Sequence, residues 1–217
     1  MKKKILIIAG GFSREREISL KTAKAVFNEI KKKYHTKICE PNGDLIKNLR
    51  SFKPDVVFNA LHGRYGEDGY IQSILESEKI KYTHSGVLSS SIAIDKELSK
   101  KIFIKKNILT PGYFKFNFNQ FKKKSTLIKK IKSKIGFPVV IKPFNEGSSV
   151  EVYICNKKNI FKKLNKLFTY KEIMIEKYIP GREIQVAIMG KRKLGAIELV
   201  PKRKFYDYQA KYNVKSK

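Results

Sequence analysis

Apolar runs alternate with amphipathic segments at the start of the chain. Residues 4–11 (KILIIAGG) form an apolar run that ends in two glycines, and apolar side chains then recur at helical spacing over residues 18–30. A second strand is predicted at residues 36–39, a helix at 45–52 and a third strand at 55–61. This alternation predicts a doubly wound parallel sheet.

A glycine-rich, charged segment follows the third predicted strand directly. It reads HGRYGEDG over residues 62–69, and the carboxyl ends of parallel strands are where such sheets bind ligands. We expect a helix over residues 70–78, then a serine-rich stretch at 85–91 leading into a lysine-rich helix that runs to about Lys106. LTPG, residues 109–112, indicates a turn and a domain boundary.

The second half predicts a different arrangement. A basic amphipathic helix is expected over residues 121–135, and an apolar strand over 137–143 that carries Lys142 near its end. Three further strands, at 172–179, 183–190 and 194–201, are joined by short glycine-containing links, which favours an antiparallel sheet. The whole is therefore predicted to be α/β with an α+β second part.

Composition limits the class of protein. The chain has 217 residues, of which 41% are hydrophobic and 12% aromatic, so it can bury a core and fold. The apolar run after MKKK is too short for a signal peptide or a membrane helix. Two cysteines, Cys39 and Cys155, belong to no CxxC or Cys/His cluster and indicate neither a disulfide framework nor zinc. A reducing cytoplasm is the expected location.

The charge is strongly positive, with 48 basic against 19 acidic residues and a net charge of +29. Such a chain attracts polyanions at low salt, which makes nucleic-acid binding an alternative function. The lysines, however, are spread over residues 2–4, 31–33, 122–124 and 162–166 without interleaved arginine and aromatic positions. Solvated helix faces explain them better, and we expect at most non-specific binding.

Several residues could carry chemistry, although the Walker GxxxxGK[ST] and GxGxxG fingerprints are absent. Glu15 lies where the first helix begins and could hold a substrate ammonium, or could simply be a favourable first-turn charge. Lys142, followed by NEGSS at residues 145–149, suggests phosphate contact; the alternative is a hairpin turn with a lysine extending to solvent.

Two later segments likewise allow either a ligand-binding interpretation or a purely structural one. Glu176 and Lys177 at a strand end, with Glu183 beyond a Pro-Gly turn, suit adenine and ribose hydroxyls, or else form a solvent-facing edge of paired charges. FYDYQAKY, residues 205–212, places four aromatics in eight residues, which is typical of a lid over a substrate or of a loop packing on itself. Taken alone, the isolated histidines indicate structural roles; they are His35, His62 and His84.

Six segments together resemble the D-alanine:D-alanine ligases of the ATP-grasp superfamily: GGFSREREISL, ALHGRYGEDG, YTHSGVLSSSIAIDK, FPVVIKPFNEGSSV, IEKYIPGRE and FYDYQAKY. The resemblance implies that ATP phosphorylates the carboxylate of one D-alanine and that the amine of a second attacks the acyl phosphate. The dipeptide product would serve peptidoglycan synthesis. ATP, Mg²⁺ (or Mn²⁺) and a homodimer built by the N-terminal domain are also implied.

The same resemblance implies an order of domains. The N-terminal doubly wound parallel-sheet domain, which binds substrate, would occupy residues 1–95. An incomplete ATP-grasp (α+β) module would follow, with its first subdomain at 96–180 and the start of the second, including the lid, at 181–217.

Residue roles follow by resemblance, position by position. Glu15 would bind the ammonium of the first D-alanine and, with Ser148 and Tyr212, form a hydrogen-bonded set that ties the lid shut; His62 would lie near that substrate's carboxylate. Three lysines would contact ATP phosphates, namely Lys96, Lys142 and Lys211. Four residues would contact the adenine side and the ribose, namely Glu176, Lys177, Ile179 and Glu183.

The chain departs from the family pattern at two positions and in length. Glu151 stands where the GSSVG motif has glycine, and Gln209 where the lid has glutamate. Family members continue with an arginine and with Asp, Glu and Asn ligands for magnesium, which we expect beyond Lys217. We therefore expect residues 1–217 alone to bind nucleotide weakly and to turn over little.

Two alternatives stay open from the sequence. One is a related ATP-grasp ligase that uses D-lactate or D-serine as its second substrate, which Tyr212 disfavours by resemblance. The other is a non-catalytic, basic nucleic-acid-binding protein derived from the ligase fold.

Overall fold

A computed structural model describes residues 2–120 and 123–200 of the chain. The chain divides into two compact units, residues 1–101 and 102–217. Within the described residues no helix combines the length and apolarity needed to cross a membrane.

The first unit contains a three-stranded parallel sheet in the order β2-β1-β3. Strands and helices alternate as the sequence predicts, and the predicted helix at 45–52 has those bounds in the structure. The elements are β1 Lys4–Ile8, α1 Arg16–Ile30, β2 His35–Cys39, α2 Leu45–Phe52, β3 Val56–Asn59, α3 Tyr70–Ser77, α4 Val87–Ile94 and α5 Lys96–Lys105, the last of which runs into the second unit.

The central strand β1 is buried on both faces. Leu6 and Ile8 pack into a cluster with side chains of α2 and α3, whereas Ile7 and Ala9 pack with Ala23 of α1. Helices therefore cover both faces of the sheet, and the predicted doubly wound arrangement is confirmed. β2 lies on one side of β1 and β3 lies on the other, so the chain adds its third strand on the opposite side of β1 from its second. The β1/β3 junction is therefore the point at which the strand order switches.

The second unit contains a four-stranded antiparallel sheet in the order β4-β7-β5-β6 and a separate hairpin of β8 and β9. Short 3₁₀ turns lie at Phe118–Gln120 and Asn165–Leu167. The elements are β4 Tyr113–Asn117, α6 Lys124–Lys134, β5 Val139–Lys142, β6 Tyr153–Cys155, α7 Ile160–Leu164, β7 Glu172–Lys177, β8 Glu183–Met189 and β9 Arg192–Leu199.

One face of this larger sheet carries the core of the unit. Val139 and Ile141 of β5 pack with Leu127 of α6, Ile160 of α7 and Ile175 of β7 in a single buried cluster. Because side chains alternate along a strand, the next positions, including Lys142 and Glu176, fall on the opposite face. The two residues meet there.

The strand pairing corrects one expectation. The three strands predicted from residue 172 onward do not form one sheet, because β7 pairs with β4 and β5, and β8 pairs with β9. Pro180 and Gly181 separate β7 from β8, and proline cannot donate a ladder hydrogen bond.

Candidate functional site

Glu15 lies in the segment after β1, immediately before α1, and is only 4% exposed. Its backbone N–H donates to Ser13 Oγ at 3.1 Å, and its carbonyl accepts from Ile18 and Ser19 at 3.0 Å each. The first turn of the helix thus fixes the residue. Glu15 is more buried than a carboxylate that only adds a favourable charge to the first turn of a surface helix would be.

The carboxylate of Glu15 faces the loop that follows β3. A β carbon at Gly63, whose φ is +66°, would lie 3.1 Å from Glu15 Oε2. The loop's backbone therefore passes directly beside the carboxylate. Since β1 and β3 are neighbouring parallel strands, this contact lies at the junction where doubly wound sheets bind ligands.

His62 precedes that glycine and has neighbours on two sides. Its Nε2 lies 3.3 Å from Thr22 Oγ1 of α1, and its Nδ1 lies 3.8 Å from Glu67 Oε1. His62 also lines a cavity of about 260 Å³ in the first unit, together with Asn59 and Gln72. The structure thus places Glu15 and His62 in adjoining segments of the same unit.

Two buried amides hold this loop, and sequence reasoning missed both. Asn59 Nδ2 and Gln72 Nε2 each donate to the carbonyl of Gly66 at 2.8 Å, and Asn59 Oδ1 accepts from the N–H of Leu61 at 3.1 Å. Gly66 cannot carry a side chain, since a β carbon would lie 2.4 Å from that of Leu61. An asparagine that interrupts an apolar strand just before a glycine-rich loop was the available signal.

Lys96 is the first residue of α5 and is partly buried. Asp95 Oδ1 accepts from the N–H groups of Glu97 at 2.8 Å and Leu98 at 3.0 Å, which fixes the start of that helix. One turn later Lys100 is buried, a feature not singled out from the sequence.

In the second unit Lys142 and Glu176 form an ion pair. Lys142 Nζ donates to Glu176 Oε1 across the β5–β7 pairing, and the side chains are 18% and 9% exposed. Two residues predicted separately for the nucleotide are therefore brought together. The lysine amine is held by a carboxylate instead of extending freely to solvent.

The β5–β6 loop, residues 143–152, follows Lys142 and contains Ser148. Three residues with side chains adopt left-handed backbone conformations there, Ser148 at φ 45°, Ser149 at φ 60° and Glu151 at φ 55°. A non-glycine residue in this region costs roughly 1–2 kcal/mol. Glu151 thus stands in a conformation that favours glycine, the residue expected there by resemblance.

The other predicted nucleotide residues lie around the ends of β7 and β8. Lys177 ends β7 and is exposed, although its backbone N–H donates to the carbonyl of Gly112 at 2.9 Å. Ile179 and Glu183 are also exposed, and Glu183 begins β8. Lys211, Tyr212 and Gln209 lie outside the described residues.

Over residues 2–120 and 123–200, no group of three or more His, Cys, Asp or Glu side chains could hold a metal ion. The described residues therefore do not fit a Mg²⁺ site of their own. Ser148 and Glu15 belong to different units.

Comparison with known proteins finds family matches in both units of the chain. The family model for the D-ala D-ala ligase N-terminus matches residues 43–85, and that for the C-terminus matches residues 102–217. The D-alanine–D-alanine ligase of Pelagibacter ubique (strain HTCC1062) is 64% identical over all of this chain, which spans 71% of that protein. The ligase of Wolbachia pipientis wMel is 43% identical over 96% of the chain, which spans 65% of that relative.

Solved structures agree. A D-alanine–D-alanine ligase from Bacillus anthracis has a TM-score of 0.80 and 36% identity, covering 96% of this chain and 68% of that one. The Bacillus anthracis ligase complexed with ATP has a TM-score of 0.77 and 33% identity over the same shares of the two chains. The Coxiella burnetii enzyme, at 24% identity over 92% of this chain and 71% of that one, shares the fold with a TM-score of 0.76. The chain belongs to the D-alanine–D-alanine ligase family.

Proposed function

We propose that this protein joins two D-alanines to D-alanyl-D-alanine at the expense of ATP, for peptidoglycan precursor synthesis. ATP phosphorylates the carboxylate of the first D-alanine, and the amine of the second displaces phosphate from the acyl phosphate. Phosphorylation supplies the leaving group that a carboxylate lacks, and binding orients the two amino acids.

The structural observation that carries the assignment is the buried carboxylate of Glu15 beside the loop of His62 and Gly63. In a site shielded from water, a carboxylate attracts an ammonium more strongly than it does at the surface. Glu15 would bind the ammonium of the first D-alanine, and His62 would lie near its carboxylate. Ser148 and Tyr212 complete the set that we propose for lid closure, which protects the acyl phosphate from water.

ATP would bind through the second unit and Lys96. Lys142 lies on the sheet face opposite the buried core, with the β5–β6 loop and its serines directly after it. Phosphates would be contacted by three lysines, namely Lys96, Lys142 and Lys211. The adenine and ribose would be contacted by Glu176, Lys177, Ile179 and Glu183.

Mg²⁺ or Mn²⁺ would accompany ATP and neutralise charge on its phosphates. We assign none of the described residues to the metal, because they contain no suitable ligand cluster.

A homodimer through the N-terminal unit, in the cytoplasm, completes the proposal. Three aromatic rings support a contact surface there: Phe12 and Tyr65 have ring centroids 6.3 Å apart, and Tyr65 and Tyr70 5.0 Å apart. Phe12 and Tyr70 are exposed. Sedimentation equilibrium should give twice the monomer mass, and Tyr70→Glu should lower it; a monomeric wild type contradicts this part.

The reaction is tested by product identification on the protein as its gene encodes it. With ATP and D-alanine, mass spectrometry should detect D-alanyl-D-alanine together with ADP. Offering D-lactate or D-serine beside D-alanine separates the related ligases, since a dominant mixed product would reassign the second substrate. Absence of any ATP-dependent product, with nucleic-acid binding that survives physiological salt, would favour the binding-protein alternative.

A further inference from the structure

The β5–β6 loop is tied down at two points by tyrosine side chains. Tyr153 Oη donates to Glu151 Oε2, and Tyr170 Oη donates to Glu146 Oε1 at 3.1 Å. The two glutamates lie on either side of Ser148 in the sequence. A loop with this many left-handed residues holds its shape only where surrounding contacts over-determine it.

Both tyrosines are themselves anchored. The rings of Tyr153 and Tyr170 pack against the buried cluster beneath α6 and α7, so their hydroxyls are held at fixed positions. Each hydroxyl therefore connects a glutamate of the loop to the rigid core of the second unit.

The environment of Tyr153 preserves its donor role. Burial, followed by the hydrogen bond to Glu151, raises the pKa of Tyr153 to about 12, so the hydroxyl stays protonated at physiological pH. Lys163 Nζ and Lys166 Nζ lie 4.7 and 5.8 Å from the centre of its ring. Both cations therefore lie within cation–π range of the ring.

We propose that Tyr153 and Glu151 are positioning residues that hold the β5–β6 loop in the shape that presents Ser148 and Ser149 to the nucleotide phosphates. Glu151 adopts a backbone conformation that favours glycine, and its side chain provides a contact to Tyr153 that glycine could not make. This inference rests on the proposed function for its ligand, but the tether itself does not.

Backbone amides within the loop report on the tether directly. The N–H of Val150 donates to the carbonyl of Gly147 at 2.9 Å, and that of Val152 to Ser149 at 3.4 Å. Hydrogen exchange at these two amides should accelerate roughly fivefold or more in Tyr153→Phe, which keeps the ring and loses one partly buried hydrogen bond. Glu151→Gln keeps an acceptor and should stay within roughly twofold of the wild type.

Tyr82→Phe is the matched control, since Tyr82 Oη donates to Glu76 at 2.6 Å in the first unit. It should leave exchange in the loop unchanged. Wild-type exchange rates in Tyr153→Phe, or equal acceleration in Tyr82→Phe, would overturn the tether.

Titration with a non-hydrolysable ATP analogue tests the positioning role. Tyr153→Phe should weaken binding of the analogue roughly threefold or more, while Tyr82→Phe binds like the wild type. Faster exchange with unchanged analogue binding would overturn positioning. If the wild type binds no analogue, the proposed function and the positioning role both fail, and the exchange rates alone decide the tether.

Discussion

The carboxylate of Glu15 lies against the backbone of Gly63, so that a β carbon at residue 63 would come within 3.1 Å of Oε2. This contact joins the segment after β1 to the segment after β3, two segments that lie far apart in the sequence. The position of the buried carboxylate and the path of the His62 loop therefore depend on each other.

Gly63→Ala should disturb both the position of the Glu15 carboxylate and the path of the His62 loop. Its φ of +66° is unfavourable for alanine, and the new methyl group would press on Glu15. We expect a loss of roughly 1–3 kcal/mol in the free energy of unfolding, measured with urea. Gly43→Ala is the control, because a β carbon there meets nothing within 4 Å. Equal stability of the two variants would show that the contact does not constrain residue 63.

The pair Lys142–Glu176 should behave as a coupled unit. Both side chains are largely buried, so Lys142→Met or Glu176→Leu alone removes one half of a buried ion pair and should cost roughly 3–5 kcal/mol. The double variant should recover much of that loss in a denaturation cycle, without recovering nucleotide binding. Additive losses would mean that the two charges do not interact. The exposed pair Arg182–Glu198 provides the control and should show far weaker coupling.

Asn59 should matter more than Gln72, although both donate to Gly66. Asn59→Leu removes the acceptor for the buried N–H of Leu61 and should lower the free energy of unfolding by roughly 1–3 kcal/mol. Gln72→Leu loses one donor but also removes Oε1, which has no hydrogen-bond partner among the described residues. Urea denaturation should show a smaller decrease in the free energy of unfolding for Gln72→Leu than for Asn59→Leu. The reverse order would contradict the assigned hydrogen bonds.

Stability should fall in alkaline solution. Burial raises the pKa of Cys39 to about 11 and of Cys155 to about 12, and it also contributes most to raising those of Tyr82 and Tyr153 to about 12. Each native group binds its proton more tightly than the unfolded chain does, so its contribution is complete below the unfolded pKa and is lost as pH rises through the folded pKa. Denaturation midpoints should therefore drop between about pH 9 and 12. A Cys39→Ala/Cys155→Ala variant should show a shallower drop, and an identical slope would contradict the assignment.

The first unit was largely predictable because its signals are local. Apolar runs ended by glycine gave β1 and β3, and the period of α2 gave its bounds. In the second unit β4, β6 and α7 were missed, since three to five residues are too few to establish a period.

The site was predictable only residue by residue. Resemblance predicted nucleotide roles for Lys142 and Glu176 separately, but their contact depends on β7 lying between β4 and β5, which no local pattern encodes. The tyrosine contacts to Glu146 and Glu151 likewise require packing of α6 and α7 on one face of the sheet.

The most direct test of the account is the dependence of ADP release on D-alanine concentration in Glu15→Gln and Glu17→Gln variants of the protein as its gene encodes it. Glu17 lies two residues away with a side chain 78% exposed, so it controls for lost charge at the same helix start. We predict that Glu15→Gln raises the half-saturating D-alanine concentration by about tenfold or more. Glu17→Gln should match the wild type. Unchanged D-alanine dependence in Glu15→Gln would contradict the central claim that this carboxylate binds the substrate ammonium.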